Sequence, residues 1–258
     1  MKNILIILIS LLLLTCESSS LGVDENQGIS YFDCLAFGWQ AFFDEDYELA
    51  LSYFNTAYIA TDEEYHNSAH SSIGWVKLFQ ANRVIGDADN VEELRIAANE
   101  EFLYDVDQAY AIESYEEKCP YYEFCCEDCF VQERSLGLLI YSIESFFFSK
   151  NQNQAIICED NNNDNICESG LIYDLKQFII NNSDYDFMNG KPEGSNGESI
   201  DLSIDNVVIY LAQNYLRLNE YTQACEELFE ANLACGINDC ADASVNTILN
   251  CIQGDFPF

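Results

Sequence analysis

The sequence predicts an all-α protein, and three observations carry that reading. Apolar residues across positions 29–258 recur at helical rather than alternating spacing. A six-position pattern near the start of this stretch returns near its end, in the same order and spacing. The 258 residues also hold only three prolines and twelve glycines, too few for a loop-rich β-sandwich or a low-complexity chain. At 49% hydrophobic and 14% aromatic, the chain has ample material for a core, so wholesale disorder is excluded despite a net charge of −35. That charge, 45 acidic against 10 basic side chains, argues against nucleic acid, because phosphate binding needs Lys and Arg to displace counterions. It equally disfavours electrostatic docking onto an anionic membrane.

Residues 1–15 read as a signal peptide. Lys2 supplies the positive charge, and positions 4–14 are apolar apart from Ser10. As a helix this run spans about 16 Å, roughly half a bilayer core, too short for a permanent membrane span. Leu13-Leu14-Thr15-Cys16 follows and resembles a bacterial lipobox, with Thr15 where a smaller residue is usual. The resemblance implies that Cys16 becomes the first mature residue and carries lipid; the other reading is an ordinary secretory signal with Cys16 incidental. Residues 16–28, polar and without apolar periodicity, read as a flexible tether to a helical domain at 29–258. Glu17 is not the aspartate associated with inner-membrane retention, which points to the outer membrane, facing periplasm or cell surface.

Within the domain, the first pattern runs Gly38-x3-Phe42-x4-Tyr47-x2-Ala50-x3-Phe54-x2-Ala57. The second runs Ala212-x3-Leu216-x4-Tyr221-x2-Ala224-x3-Leu228-x2-Ala231, displaced by 174 residues. Small residues at these positions let paired helices approach closely, and the larger ones fill the groove between them. Asp44-Glu45-Asp46 and Asn219-Glu220 supply the turns. A partial echo has Gly74-Trp75 repeating Gly38-Trp39, and Ala98-x3-Phe102 repeating Ala50-x3-Phe54, with residues 83–91 expected as a lengthened turn. A third pair is expected from helices near 130–149 and 171–181, and a fourth over 204–231. The matched spacing resembles the tetratricopeptide repeat, a helix–turn–helix unit of about 34 residues. An unrelated helical bundle is the competing reading. The resemblance implies a right-handed α-solenoid of about four helix pairs, closed by a cap.

Export makes disulfides the default for the cysteines beyond Cys16. They fall into a cluster of Cys119, Cys125, Cys126 and Cys129, a pair Cys158 and Cys167, and a C-terminal group of Cys225, Cys235, Cys240 and Cys251. That grouping leaves Cys34 as a buried free thiol. The C-x5-C-C-x2-C spacing of the cluster is also compatible with zinc. The tail at 234–258 is expected to wrap the last helices as a stapled cap, and 183–203, rich in Gly, Ser and Asn around Lys191-Pro192-Glu193-Gly194, is expected as a loop.

One segment fits a calcium loop. Asp160, Asn162 and Asp164 place oxygen ligands at alternate positions and Glu168 adds a fourth, but Leu171 stands where the bidentate carboxylate belongs. A solvated Asx-rich turn is the other reading. His66 and His70 share one helix face without a third ligand at fixed spacing, so a solvated polar face is expected there. No nucleophile elbow, phosphate loop, dinucleotide fingerprint or zinc-protease motif occurs, and no catalysis is expected. The resemblance implies a lipid-anchored interaction scaffold that binds a protein or peptide along a concave face lined by first-helix residues; Trp39 and Trp75 are candidates for that face and equally for the core. The net charge of −35 calls for a basic partner or a calcium-bridged contact. Two alternatives remain open from the residues: a small-ligand or glycan-binding lipoprotein with a calcium-stabilised loop, and a structural envelope protein without a specific ligand.

Overall fold

The computed structural model describes residues 31–60, 66–103, 127–149, 169–187, 191–197, 202–231, 233, 239–242 and 244–252. Its elements are α1 (Tyr31–Phe43), α2 (Tyr47–Ala60), α3 (His66–Arg83), α4 (Ala88–Leu103), α5 (Glu127–Ser149), α6 (Leu171–Asn181), α7 (Ile204–Arg217), α8 (Tyr221–Glu230), a 3-10 turn (Cys240–Asp242) and α9 (Val245–Cys251). No β-strand forms among the described residues; Asp186 and Ser203 make an isolated antiparallel bridge. The all-α expectation is correct. No described helix is long and apolar enough to cross a membrane. The chain divides into two compact units, Met1–Gly137 with Asn189–Ile200, and Leu138–Met188 with Asp201–Phe258.

In the first unit α1 packs on α2, α2 on α3 and α3 on α4. The α1–α2 seam is closed by Gly38. A Cβ built there would fall 2.3–2.8 Å from three atoms of the Phe54 ring, so the missing side chain is what lets the ring lie against α1. Gly74 of α3 stands in the same relation to Phe102 of α4, and Gly137 of α5 meets that ring from another direction. Around these seams the core is aromatic. Trp39 meets Phe42 and Phe54 edge-on at 5.3 and 5.2 Å, and Phe42 meets Phe79 at 4.9 Å. Such pairs add about 0.5–1.5 kcal/mol each beyond burial. Helix α3 is enclosed on nearly every side, from Ala69, Ser71 and Ser72 through Trp75 to Ala81.

The α3–α4 connection is shorter than the sequence suggested. Asp87 caps α4, its carboxylate accepting from the Asn90 N–H at 3.1 Å and its carbonyl from the Val91 N–H at 3.1 Å. Residues 88–91 are therefore the first helical turn and not loop.

In the second unit α6 packs on α7 and α7 on α8. Leu175 and Phe178, Tyr210 and Leu211, and Ala224 and Leu228 form its core. The two ends of the loop before α7 pair through the backbone: Phe187 N–H donates to the Leu202 carbonyl at 3.3 Å and Ile204 N–H to the Tyr185 carbonyl at 3.0 Å. Both the 3-10 turn and α9 pack against α8, with Ile248 fully buried. A Cys225–Cys240 disulfide links α8 to that turn, with a Cα–Cα distance of 5.5 Å. Cys34 is itself disulfide-bonded, which corrects its expected role as the free thiol. Grouping by sequence proximity failed there because disulfides follow distance in the fold and not spacing along the chain.

The turns of α1–α2 and α7–α8 share three backbone hydrogen bonds at equivalent positions. Asp44, Glu45 and Asp46 donate backbone N–H bonds to the carbonyls of Gln40, Phe42 and Ala41. Leu218, Asn219 and Glu220 donate to Asn214, Leu216 and Tyr215, each displaced by 174 residues. Glu45 and Asn219 are both left-handed, at φ 62° and 66°.

Candidate functional site

The residues nominated from sequence separate into two groups. Cys16, Asp160, Asn162, Asp164 and Glu168 lie outside the described residues. Trp39 and Trp75 are described, and both are core: 4% and 0% exposed. Trp39 packs within α1–α2, while Trp75 meets Phe102 edge-on at 5.8 Å across α3–α4. Both indoles pack against a ring of a neighbouring helix. Among the described residues no cluster of three or more His, Cys, Asp or Glu side chains is arranged to hold a metal ion.

What the structure brings together instead is a recurring arrangement of one cation, one aromatic ring and one carboxylate. In the first unit the Lys191 ammonium lies 4.8 Å from the Trp39 ring centroid and pairs with Glu133 near the start of α5. Their side chains are only 4% and 8% exposed. Burial pushes the Glu133 carboxyl up, while the ammonium beside it pulls the other way. Also in this unit, Arg83 lies 5.0 Å over the Tyr47 ring and pairs with Glu45. The hydrogen bond from Arg83 holds the Glu45 carboxyl below its ordinary range. In the second unit Arg217 lies 3.6 Å over the Phe147 ring and binds Glu144 through both amino groups, at 2.5 and 3.2 Å. The Tyr210 hydroxyl donates to the same carboxylate at 2.9 Å, and burial raises the Tyr210 phenol well above its usual value. A ring face attracts a cation through its quadrupole, and a buried carboxylate adds the full charge.

A fourth cluster lies between α3 and α4. His70 Nδ1 is 2.5 Å from one oxygen of Glu101, and Lys77 Nζ is 2.5 Å from the other. Tyr58 of α2 meets the His70 ring edge-on at 4.8 Å. Burial favours the neutral Glu101 acid, but the bonds from His70 and Lys77 outweigh it and hold the carboxyl below its ordinary range. The solvated face expected around His70 is therefore half-buried and hydrogen-bonded, because Glu101 one helix away supplies its partner. Lys176 pairs with Glu227 at 2.6 Å, and Arg134 donates to the Phe102 carbonyl.

The charges are thus sorted. Lys77, Arg83, Lys176, Lys191 and Arg217 each meet a carboxylate of the same chain, whereas Glu48, Asp89, Glu100, Asp174, Asp205 and Glu226 stand exposed. Sequence reasoning missed Lys191 and Glu133. The available signal was a lone lysine before proline in a polar loop of a chain with only ten cations. Compared with known proteins, the chain matches no family model, no curated protein and no solved structure.

Proposed function

We propose that this chain is a lipid-anchored envelope protein that acts as a non-catalytic interaction scaffold for a basic protein or peptide. In this reading Cys16 carries the anchor, residues 16–28 are the tether, and the helix pairs are tetratricopeptide-like units stacked as a right-handed α-solenoid with a stapled C-terminal cap. The observation that carries the choice of partner is the sorting of charge. Among the described residues Lys77, Arg83, Lys176, Lys191 and Arg217 pair with carboxylates of the same chain while many other carboxylates stand exposed, so electrostatic complementarity favours a positive partner and speeds its approach. The matching turns of α1–α2 and α7–α8 support a repeated unit.

Crosslinking pull-down from envelope membranes tests the scaffold. A basic protein captured at low salt and lost at high salt is the expected result. Recovery of the bait alone at every salt concentration overturns it. The anchor is tested separately: Cys16→Ala should move the protein from the membrane fraction to the soluble one, and retention on membranes removes the lipid assignment.

A further inference from the structure

We infer that Trp39 and Glu133 form a socket for a primary ammonium group, that the chain fills it with its own Lys191, and that a lysine of a basic partner exchanges with that strap. The partner's charge is taken from the scaffold reading; the socket itself is read from geometry. Trp39 offers a ring face and Glu133 a carboxylate, and Lys191 reaches both while its side chain is 4% exposed. Lys191 comes from no helix. It opens the short stretch 191–197, in which the Ser195 N–H donates to Asp44 Oδ1 at 2.6 Å, an exposed bond to the α1–α2 turn. Residues between Lys191 and Ser195 include Pro192, which restricts the backbone, and Gly194, which is buried.

The socket is therefore assembled from helix residues, Trp39 on α1 and Glu133 on α5, while its occupant sits on a non-helical strap whose Ser195 N–H makes an exposed hydrogen bond to Asp44. A buried carboxylate left without a cation is either costly or neutralised by a proton, so keeping Glu133 charged when Lys191 leaves requires a replacement of the same chemistry. That requirement selects an ammonium and rejects neutral or anionic ligands. Arg83 over Tyr47 and Arg217 over Phe147, each with a glutamate, show the same recognition chemistry with guanidinium occupants. Arginine's planar fork differs from lysine's compact point charge, so the socket at Trp39 should prefer lysine.

Two measurements test the inference. Lys191→Ala removes three methylenes and the ammonium, the atoms that n-propylammonium carries. The variant should melt lower, by on the order of 10 °C. Millimolar n-propylammonium should restore at least half of that loss, while 1-propanol and sodium chloride at equal concentration should not. Adding Glu133→Gln should abolish the rescue. No selective rescue by the amine overturns the socket.

The second measurement uses the intact chain and needs no destabilised variant. Lys191 should acetylate more slowly than Lys77 or Lys176, and oligolysine should accelerate its labelling several-fold, with a larger acceleration in Asp44→Ala. Oligolysine that binds without changing Lys191 labelling overturns the exchange and leaves the scaffold standing. Amine rescue without oligolysine binding keeps the socket and removes the basic-partner reading.

Discussion

The α1–α2 and α7–α8 hairpins share a backbone and differ in how they fill it. Their turn hydrogen bonds coincide, yet the first seam sets Gly38 against the Phe54 ring, whereas the second carries Ala212 and Leu228 at the corresponding positions. All four are buried. A methyl group added on one helix accompanies a smaller side chain on the other, so close packing is kept by trading volume across the seam. The α3–α4 pair uses the first solution, with Gly74 against Phe102. In the second hairpin a disulfide joins its own helix to the following turn, Cys225–Cys240.

That staple gives the largest expected difference. Its cysteines are 15 residues apart, and closing such a loop restricts the unfolded chain by about 3 kcal/mol. Cys225→Ala with Cys240→Ala should destabilise the second unit by about that amount, seen as a lower urea midpoint, and leave α1–α2 unaffected. Amide exchange resolved by segment reads the two separately. Equal loss of protection in both hairpins would mean that the staple acts on more than its own unit.

The seam itself is next. Gly38→Ala gains helix propensity of about 1 kcal/mol but pushes a methyl into a ring already fixed by Trp39, an overpacking cost of about 1–3 kcal/mol. Net destabilisation is expected. Phe54→Leu alone should also destabilise, by leaving space beside Trp39. The double variant reproduces the Ala–Leu solution of α7–α8, so the two losses should be less than additive by about 1 kcal/mol or more. Strict additivity in thermal unfolding would show that the volume trade is coincidental.

A charged contact separates the α3–α4 pair from the others. Glu101 lies below its ordinary value of 4.5 because the bonds from His70 and Lys77 outweigh its burial. A carboxylate depressed in the folded state binds fewer protons there than when unfolded, so its stabilisation is present above the unfolded value. It is lost as pH falls through the folded one. Glu101→Gln should therefore cost about 1.5 kcal/mol at pH 7. The gap to the parent protein should close as pH drops below about 4.5. A gap independent of pH would assign the loss to packing.

How much of this was legible in the sequence depends on whether the signal was local. Helix α6 was expected at 171–181 and is found at Leu171–Asn181, because its apolar stripe and flanking polar residues are contiguous in the chain. The turn equivalence was readable from spacing alone. The capping role of Asp87 was missed because Asp recurs so often in this chain that one more carries little weight. Trp39 and Trp75 were legible as large residues on a stripe, but which face they present depends on helices far away in sequence. The Lys191–Glu133 pair spans 58 residues and the Tyr210–Glu144 pair 66, and no local pattern in the chain announces either.

The smallest effect settles what the turns contribute. Glu45 and Asn219 adopt the same left-handed conformation, which costs a glutamate more than an asparagine. Glu45, however, also pairs with Arg83, and both side chains are about half exposed. An exposed pair of this kind is worth at most about 1 kcal/mol, and salt screens it. The two effects have opposite signs on substitution. Glu45→Asn should stabilise by a few tenths to about 1 kcal/mol, and raising the salt should enlarge the gain, since the parent then loses its ion pair as well. Asn219→Glu, with no arginine in the corresponding place, should destabilise by a similar amount at every salt concentration. If Glu45→Asn instead destabilises at low salt, the Arg83 contact outweighs the backbone strain, and the two turns are equal in geometry but unlike in what holds them.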